Sequence, residues 1–249
     1  MPYDWIIPVV AAPFVGSFLS VLAVRLPEGE DVVAGRSRCR SCGTALTPIE
    51  LMPVVSWLAQ GGKCRTCAAP IGWHYPVIEL AALGIAVWAA VTMQGALLWI
   101  SVTLGWTLLA LAAMDLRALV LSDYLTLPLI AAGLVVVAWL DIAQVPNHLA
   151  AAAVGGLLIV AVAWAYRRIR GRDGLGMGDA KLMAAAGAWV GLEGLGAVML
   201  YGVAATLILV LVKGASGDTV AAETAVPLGA GLAAGLWLVW LYGPILLAV

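Results

Sequence analysis

Long apolar runs alternate with short polar stretches along almost the whole chain. Eight runs are candidate membrane spans, and most are near the roughly 20 residues that a helix needs to cross the hydrocarbon core of a bilayer; the sixth is short, which leaves a different count open. These candidate spans cover residues 5–24, 76–93, 96–114, 124–140, 148–166, 179–192, 197–212 and 225–247. The first run follows no basic segment and precedes no convincing cleavage site, so we expect it to be retained as a helix. The pattern predicts an all-α, polytopic membrane protein of about eight transmembrane helices.

One sizeable hydrophilic segment, residues 25–75, interrupts this series. We therefore expect three parts: a first transmembrane helix within residues 1–24, a small domain over residues 25–75, and a transmembrane core over residues 76–249. The composition agrees, because 63% of the residues are hydrophobic and only 11% are charged. Such a composition excludes an ordinary soluble domain.

The basic residues predict an orientation. With eight spans, all thirteen Lys and Arg residues fall on one side of the membrane. Cytoplasmic loops carry an excess of Lys and Arg, so we expect that side to be cytoplasmic and both chain termini to face away from it. Arg167, Arg168 and Arg170, which follow the fifth span, suit an anionic lipid surface. The net charge of −1 gives no reason to expect a nucleic acid partner.

The hydrophilic segment contains the chain's four cysteines as two C-x-x-C pairs, Cys39 with Cys42 and Cys64 with Cys67. Two such pairs can place four thiolates around one Zn²⁺, and the spacing is close to that of a zinc ribbon. Disulfides and free thiols are the alternatives, and the predicted cytoplasmic location disfavours disulfides. Four thiolates leave no open coordination position, so we expect a structural zinc that helps this small segment to fold.

Two carboxylates lie at the predicted cytoplasmic edge of the membrane. Asp115 ends the third span, and Asp179 begins the sixth, directly after the flexible Gly176 and Gly178. A charge at this depth is a functional candidate by default. Two carboxylates at one face can share a proton, so that one acts as general base on a water while the other polarises a carbonyl. For Asp115 alone, the alternative is an ordinary interfacial carboxylate paired with Arg117.

Polar residues in the first two spans have two interpretations each. Gly16, Ser17 and Ser20 form a small, polar stripe, which we interpret as helix packing in preference to a direct role in a site. Glu79 is predicted in the first turn of its helix, where the helix dipole stabilises a carboxylate. A functional role for Glu79 is equally open.

The stretch from Gly176 to Asp179 resembles the Gly-x-Gly-Asp motif of intramembrane aspartyl proteases, and with Lys181 and Leu182 it resembles the prepilin peptidase (type IV leader peptidase) family. Further similar sequences follow the family's order: Gly16-Ser17-Phe18-Leu19, Arg25-Leu26-Pro27, the two cysteine pairs, Tyr75-Pro76-x-x-Glu79, Asp115, and Asp123-x-Leu125-Thr126. The chain departs from the family at two positions. Ser20 stands where the family commonly has Asn, and Ser122 where it has Pro.

The resemblance implies a membrane aspartyl endopeptidase with Asp115 and Asp179 as its catalytic pair. The residues that would support this pair are Gly176, Gly178, Lys181, Arg117 and Asp123. The implied substrates are type IV prepilins or pseudopilins of pilus and type II secretion systems, cut at the cytoplasmic face of a prokaryotic inner membrane. In this family the four cysteines accompany methylation of the new N-terminus with S-adenosylmethionine, so we expect that activity too.

Two other classes of protein stay open on the sequence. A transporter or channel could use the zinc segment as a cytoplasmic plug and the two aspartates as ion ligands; it would show ion flux without proteolysis. A non-catalytic pilus-assembly scaffold could bind pilin subunits in an apolar groove. It would tolerate Asp179→Asn without loss of pilin maturation.

Overall fold

A computed structural model describes residues 3–32, 35–171, 176–215 and 226–244. Within these ranges the regular structure is helical, and its β-pairing is limited to two isolated bridges. The α-helices are α1 (Ile6–Arg25), α2 (Val55–Ala59), α3 (His74–Thr92), α4 (Gly95–Ala118), α5 (Asp123–Leu140), α6 (Val145–Arg170), α7 (Met177–Ala215) and α8 (Leu228–Tyr242). Short 3₁₀ helices cover Ile49–Leu51 and Ile142–Gln144. The predicted all-α class is confirmed.

The helices also agree with the predicted membrane spans. Among the described residues, six helices are long and apolar enough to cross a membrane: α1, α3, α4, α5, α6 and α7. Helix α8 is apolar but has only 15 residues; residues 225 and 245–247 of its predicted span lie outside the described part. The predicted sixth and seventh spans both lie in α7. The chain is therefore a multi-pass helical membrane protein.

The chain divides into two compact units, Met1–Ala113 and Met114–Val249. In the first unit, α1 packs against α3. Gly16 makes this contact close: a Cβ there would lie 2.6 Å from the Cα of Glu79. The packing interpretation of Gly16 is thus supported. The placement of Glu79 in a first turn is wrong, because α3 already begins at His74 and Glu79 belongs to its second turn.

In the second unit, α7 is interrupted at Gly191. This residue has φ 67° and ψ −176°, a conformation that is almost exclusive to glycine. A straight helix of 39 residues would be about 58 Å long, nearly twice the thickness of a hydrocarbon core. The break divides α7 into two arms, residues 177–190 and 192–215.

The second arm of α7 runs antiparallel to α8. Near the start of α8, Gly231 lies against Thr206, since a Cβ on Gly231 would collide with the Thr206 hydroxyl oxygen. Near the end of α8, Val239 lies against Gly194, at 3.2 Å from the position of a Cβ there. Higher residue numbers in this arm therefore pair with lower numbers in α8.

The first arm runs parallel to α8. Trp189 packs edge-on against Trp240 near the end of α8, with ring centroids 5.1 Å apart. At the other end, Leu121 contacts both Gly178 in the first arm and Gly229 in α8. Since the two arms have opposite directions relative to α8, α7 folds back on itself at Gly191. The sequence prediction of two separate spans here agrees with this hairpin.

Two side chains of α6 complete the hydrogen bonds of the broken helix. The Ala188 carbonyl and the Leu192 N–H would pair in an uninterrupted α-helix. Instead, His148 Nδ1 donates to the Ala188 carbonyl at 3.0 Å, and Leu192 N donates to Asn147 Oδ1 at 3.2 Å. Unpaired backbone groups are costly in an apolar environment. The polar start of α6 therefore stabilises the turn of the α7 hairpin.

Candidate active site and metal site

Asp115 lies in the last turns of α4 and faces the start of α8. The residue is only 5% exposed. Its Oδ2 accepts a hydrogen bond of 2.8 Å from Ala230 N, and the Gly229 N–H is a second donor. Helix N-termini carry unpaired amides and a partial positive charge. Asp115 thus caps α8 from a different helix.

Asp179 lies in the first turn of α7 and is 8% exposed. Its Oδ2 accepts a hydrogen bond of 3.3 Å from Gly176 N, and its own N–H donates to the Gly176 carbonyl at 3.1 Å. This is the carboxylate half of a capping box, in which a residue of the first turn satisfies an amide that precedes the helix. Gly176 therefore helps to fix the Asp179 side chain.

Leu121 connects the surroundings of the two aspartates. A Cβ on Gly178 would lie 2.8 Å from Leu121 Cβ, and a Cβ on Gly229 would lie 2.8 Å from Leu121 Cδ1. The same Cβ on Gly229 would be 3.0 Å from Asp115 Oδ2. Both glycines thus allow the starts of α7 and α8 to approach one leucine. The structure brings the two carboxylates near enough for their negative charges to repel each other.

Three residues named with the aspartates differ in their surroundings. Arg117 is exposed on α4, whereas Asp115 points to the buried α8 amides. Lys181 and Asp123 form an ion pair, with Nζ 2.5 Å from Oδ1. This pair joins the start of α7 to the start of α5, and both side chains are partly exposed. Lys181 and Asp123 thus border the site without facing the α8 amides.

Sequence reasoning did not identify the start of α8 or Leu121 as parts of the site. Residues 197–249 contain few polar side chains, and the groups that face Asp115 are backbone amides, which every sequence has. The available signal was local: Pro227 followed by Gly229 and Gly231 at the start of an apolar run. Pro commonly begins a helix, and small residues allow close packing.

The four cysteines come together as expected. Their Sγ atoms all lie within 4.8 Å of one another. The Sγ distance is 3.8 Å for Cys39 with Cys67, and 4.0 Å for Cys42 with Cys64. A tetrahedral Zn²⁺ with Zn–S bonds of about 2.3 Å separates its sulfur ligands by about 3.8 Å. The four thiols are free rather than joined as disulfides, and they could hold one metal ion.

The two cysteine pairs adopt the same local structure. Cys39 N donates to the Thr44 carbonyl at 2.9 Å, as Cys64 N does to the Ala69 carbonyl at 2.8 Å. An isolated antiparallel bridge closes each turn. The residue after the second cysteine has a positive φ in both: 71° at Gly43 and 57° in the equivalent position of the second turn. The segment is a pair of matching knuckles.

Ion pairs fasten each knuckle to the surrounding chain. Arg40 of the first knuckle pairs with Glu28 at 2.9 Å and Glu30 at 3.3 Å, and Arg65 of the second pairs with Glu50 at 3.1 Å. Hydrogen bonds from the backbone N–H and hydroxyl of Thr47, together with Arg65, lower the pKa of Glu50. The carboxylate of Glu50 therefore stays ionised while it holds the second knuckle.

Glu79 connects the membrane helices of the first unit to the cysteine segment. The residue is 6% exposed, and its Oε2 accepts a hydrogen bond of 2.7 Å from Val54 N. The Ser17 hydroxyl of α1 donates to the same carboxylate. Val54 has a positive φ of 60°, an unfavourable conformation for a β-branched residue. Glu79 thus has a positioning role that neither of its two sequence interpretations described.

A polytopic membrane protein with two buried aspartates at helix ends and a four-cysteine cluster defines a narrow class. Two family models match it. The model for the bacterial peptidase A24 N-terminal domain matches residues 10–93, and that for the type IV leader peptidase family matches residues 102–212. The chain belongs to the type IV leader peptidase family.

Several relatives are named prepilin leader peptidase/N-methyltransferase. The protein of Burkholderia pseudomallei (strain 1026b) is 40% identical over 212 residues, which cover 84% of this chain and 68% of that protein. The Aeromonas hydrophila protein is 35% identical, covering 75% and 73% of the two chains. The Pseudomonas aeruginosa protein is 33% identical, covering 92% and 87%. No solved structure matches the chain.

Proposed function

We propose that this protein is a membrane aspartyl endopeptidase that removes the leader peptide from type IV prepilins or pseudopilins. One observation of the site carries the proposal. Asp115 and Asp179 are buried and lie near enough to repel each other electrostatically, and the glycines beside them, Gly229 and Gly178, approach the same leucine. Family membership supplies the substrate class, because relatives with up to 40% identity are named prepilin leader peptidases.

The proposed chemistry uses one proton shared by the pair. The ionised carboxylate removes a proton from a water, and the resulting hydroxide attacks the scissile carbonyl carbon. The protonated carboxyl donates its hydrogen to the carbonyl oxygen as charge develops there. The carboxyl that took the water proton then gives it to the amide nitrogen, while the other carboxylate takes a proton back from the tetrahedral diol. The C–N bond breaks, the amine of the mature pilin leaves, and the pair again shares one proton. Gly176 and Gly178 position Asp179, the Lys181–Asp123 pair fixes the start of α7, and Arg117 lies at the exposed edge.

In this proposal the cytoplasmic side of the inner membrane holds the active site. The thirteen Lys and Arg residues support this orientation through the positive-inside tendency. A leader peptide in the cytoplasm and a pilin helix in lipid would then meet at the ends of α4 and α7. The proposed domains are a first membrane helix (1–24), the cysteine segment (25–75) and the peptidase core (76–249).

We assign one structural Zn²⁺ to Cys39, Cys42, Cys64 and Cys67. The donor set supports zinc, since four clustered thiolates match its preferred tetrahedral shell. Such a shell is closed, so the ion stabilises the segment and leaves hydrolysis to the carboxylates. Metal analysis of the purified protein should give about one zinc per chain. Absence of metal, together with complete alkylation of all four thiols in the folded protein, would contradict this assignment.

Methylation of the new N-terminus is a second proposed activity. The relatives' names include N-methyltransferase, and S-adenosylmethionine would supply the methyl group. If this reaction has its own site, aspartate variants should still methylate pre-cleaved pilin, and Cys→Ser variants should lose methylation more than cleavage. The mass of the N-terminal peptide measures both. Failure of the aspartate variants to methylate pre-cleaved pilin, while wild type succeeds, would show that the sites are not separate.

The central test incubates the purified protein with a prepilin and identifies the products by mass spectrometry. Asp115→Asn and Asp179→Asn should each abolish cleavage, and the double variant should be little worse, because the two residues act as one unit. Asp141→Asn is the matched control: its side chain caps a 3₁₀ helix away from the pair, through Ala143 N at 3.0 Å. Near-normal turnover by either active-site variant would reject the pair.

The same assay separates the rival classes. A scaffold would leave the prepilin intact in every sample. A transporter would show ion flux in proteoliposomes and no cleavage. Family membership and the names of the relatives do not favour either class.

A further inference from the structure

The start of α8 distinguishes the two aspartates. Asp115 Oδ2 receives the Ala230 N–H at 2.8 Å, and the Gly229 N–H is a further donor to the same carboxylate. Asp179 receives the Gly176 N–H, at the longer distance of 3.3 Å. Amide donors favour the ionised form of a carboxylate, and the effect grows with their number and closeness. The two members of the pair therefore have unequal support for a negative charge.

We propose that the α8 N-terminus is the third component of the active site, and that its amides hold Asp115 as the ionised member of the pair. Asp179 then carries the shared proton. This inference rests on the proposed peptidase function. It assigns the general base to Asp115 and the proton donor to Asp179, and it makes Gly229 and Ala230 positioning residues.

The packing of α8 explains how such an arrangement is kept. Gly229 approaches the carboxylate so closely that a Cβ would lie 3.0 Å from Asp115 Oδ2 and 2.8 Å from Leu121 Cδ1. Any larger residue must push the start of α8 away from Asp115 or displace Leu121. Gly231 and Gly235 pack α8 closely against the second arm of α7. This packing fixes the position of α8, so the Gly229 and Ala230 amides cannot shift to restore their hydrogen bonds to Asp115.

The elements that begin near Asp115 carry three other charged residues: Asp179 and Lys181 at the start of α7, and Asp123 at the start of α5. Lys181 and Asp123 neutralise each other at 2.5 Å, and Arg117 on the same helix is exposed. The described part of α8 carries no Asp, Glu, Lys or Arg. The α8 amides and the Asp179 carboxyl are thus the groups that decide the charge on Asp115.

The direct test is a pH titration of the full-length protein in detergent micelles, with ¹³C-carboxyl-labelled aspartate observed by NMR. Asp115→Asn and Asp179→Asn identify the two signals. In wild type, Asp115 should ionise at the lower pH. In Gly229→Ala its midpoint should rise, by on the order of one pH unit. Gly196→Ala should leave both midpoints unchanged, because a Cβ there meets nothing within 4 Å.

The pH dependence of prepilin cleavage gives a second readout. In Gly229→Ala, loss of the hydrogen bonds from the α8 amides to Asp115 should move the acidic limb of the kcat/KM profile to higher pH. That limb reports ionisation of the general base. A wild type in which Asp179 ionises first overturns the inference, as does a Gly229→Ala variant that moves neither midpoint or moves only the basic limb. The wild-type titration decides the order even if the variant misfolds. A protein that titrates as described yet cleaves no prepilin would refute the peptidase function alone.

Discussion

The ammonium group of Lys181 lies 2.5 Å from the Asp123 carboxylate and joins the start of α7 to the start of α5. Such a partly exposed pair contributes about 1 kcal/mol or less to stability. Because Lys181 lies two residues after Asp179, we expect the ion pair to affect activity more than stability. Lys181→Glu should lower kcat/KM on the order of tenfold, since small displacements of a catalytic group are costly.

The charge swap tests this pair. Lys181→Glu combined with Asp123→Lys should recover most of the lost activity, because the two opposite charges are restored. The coupling should weaken at high salt, which screens partly exposed charges. If the losses of the two single variants simply multiply in the double variant, the two side chains act independently.

The α7 hairpin gives a prediction about stability. Gly191→Ala should destabilise the protein by about 1–3 kcal/mol, because Ala cannot adopt this backbone conformation without strain. Gly196→Ala, five positions along in the second arm, should change stability by less than about 0.5 kcal/mol. Thermal unfolding in detergent measures both. Similar melting temperatures for the two variants would mean that α7 does not depend on the break.

Asn147 should be required for the same turn. Asn147→Ala removes the acceptor of the Leu192 N–H and should cost about 1–3 kcal/mol. Asn147→Asp keeps an oxygen in the same place and should lose less. If both substitutions cost the same, the hydrogen bond at 3.2 Å is not the source of the effect.

The two cysteine knuckles should respond oppositely to exchanges at equivalent positions. Ala68 has a positive φ of 57° where the first knuckle has Gly43. Ala68→Gly should relieve strain of about 1 kcal/mol, and Gly43→Ala should introduce about as much. Zinc affinity, measured by competition with a chelator, should be about fivefold higher in Ala68→Gly and about fivefold lower in Gly43→Ala than in wild type. A Gly43→Ala variant that binds zinc as tightly as wild type would contradict this.

Glu79 should matter through its hydrogen bonds rather than its charge. Glu79→Ala leaves the Val54 N–H without its acceptor, which should cost about 1–3 kcal/mol. Glu79→Gln retains an acceptor oxygen and should be milder. The rate of limited proteolysis between Arg25 and Tyr75 measures how far the cysteine segment has loosened. If Gln is as harmful as Ala, the negative charge itself has a role.

Features set by local chemistry were predictable from the sequence. Apolar runs of membrane length predicted the helices, because backbone groups in lipid must pair within their own segment. The C-x-x-C spacing predicted the cysteine cluster, since each pair lies in one short turn. The Lys181–Asp123 contact was not predicted, although both residues were named, because a motif does not tell which of its side chains meet.

Three contacts were seen only in the tertiary structure. The start of α8 meets Asp115, Leu121 lies between Gly178 and Gly229, and Asn147 and His148 bind the backbone at the α7 break. In each case the partner is a backbone group or a steric fit between segments far apart in the chain. Glu79 illustrates the same limit: its distance from the helix start was misjudged by one turn, and its partner Val54 is 25 residues away. Hydrophobic patterns determine which segments enter the membrane. The docking of those segments determines which amides and carboxylates meet, because such contacts depend on packing that no local pattern encodes.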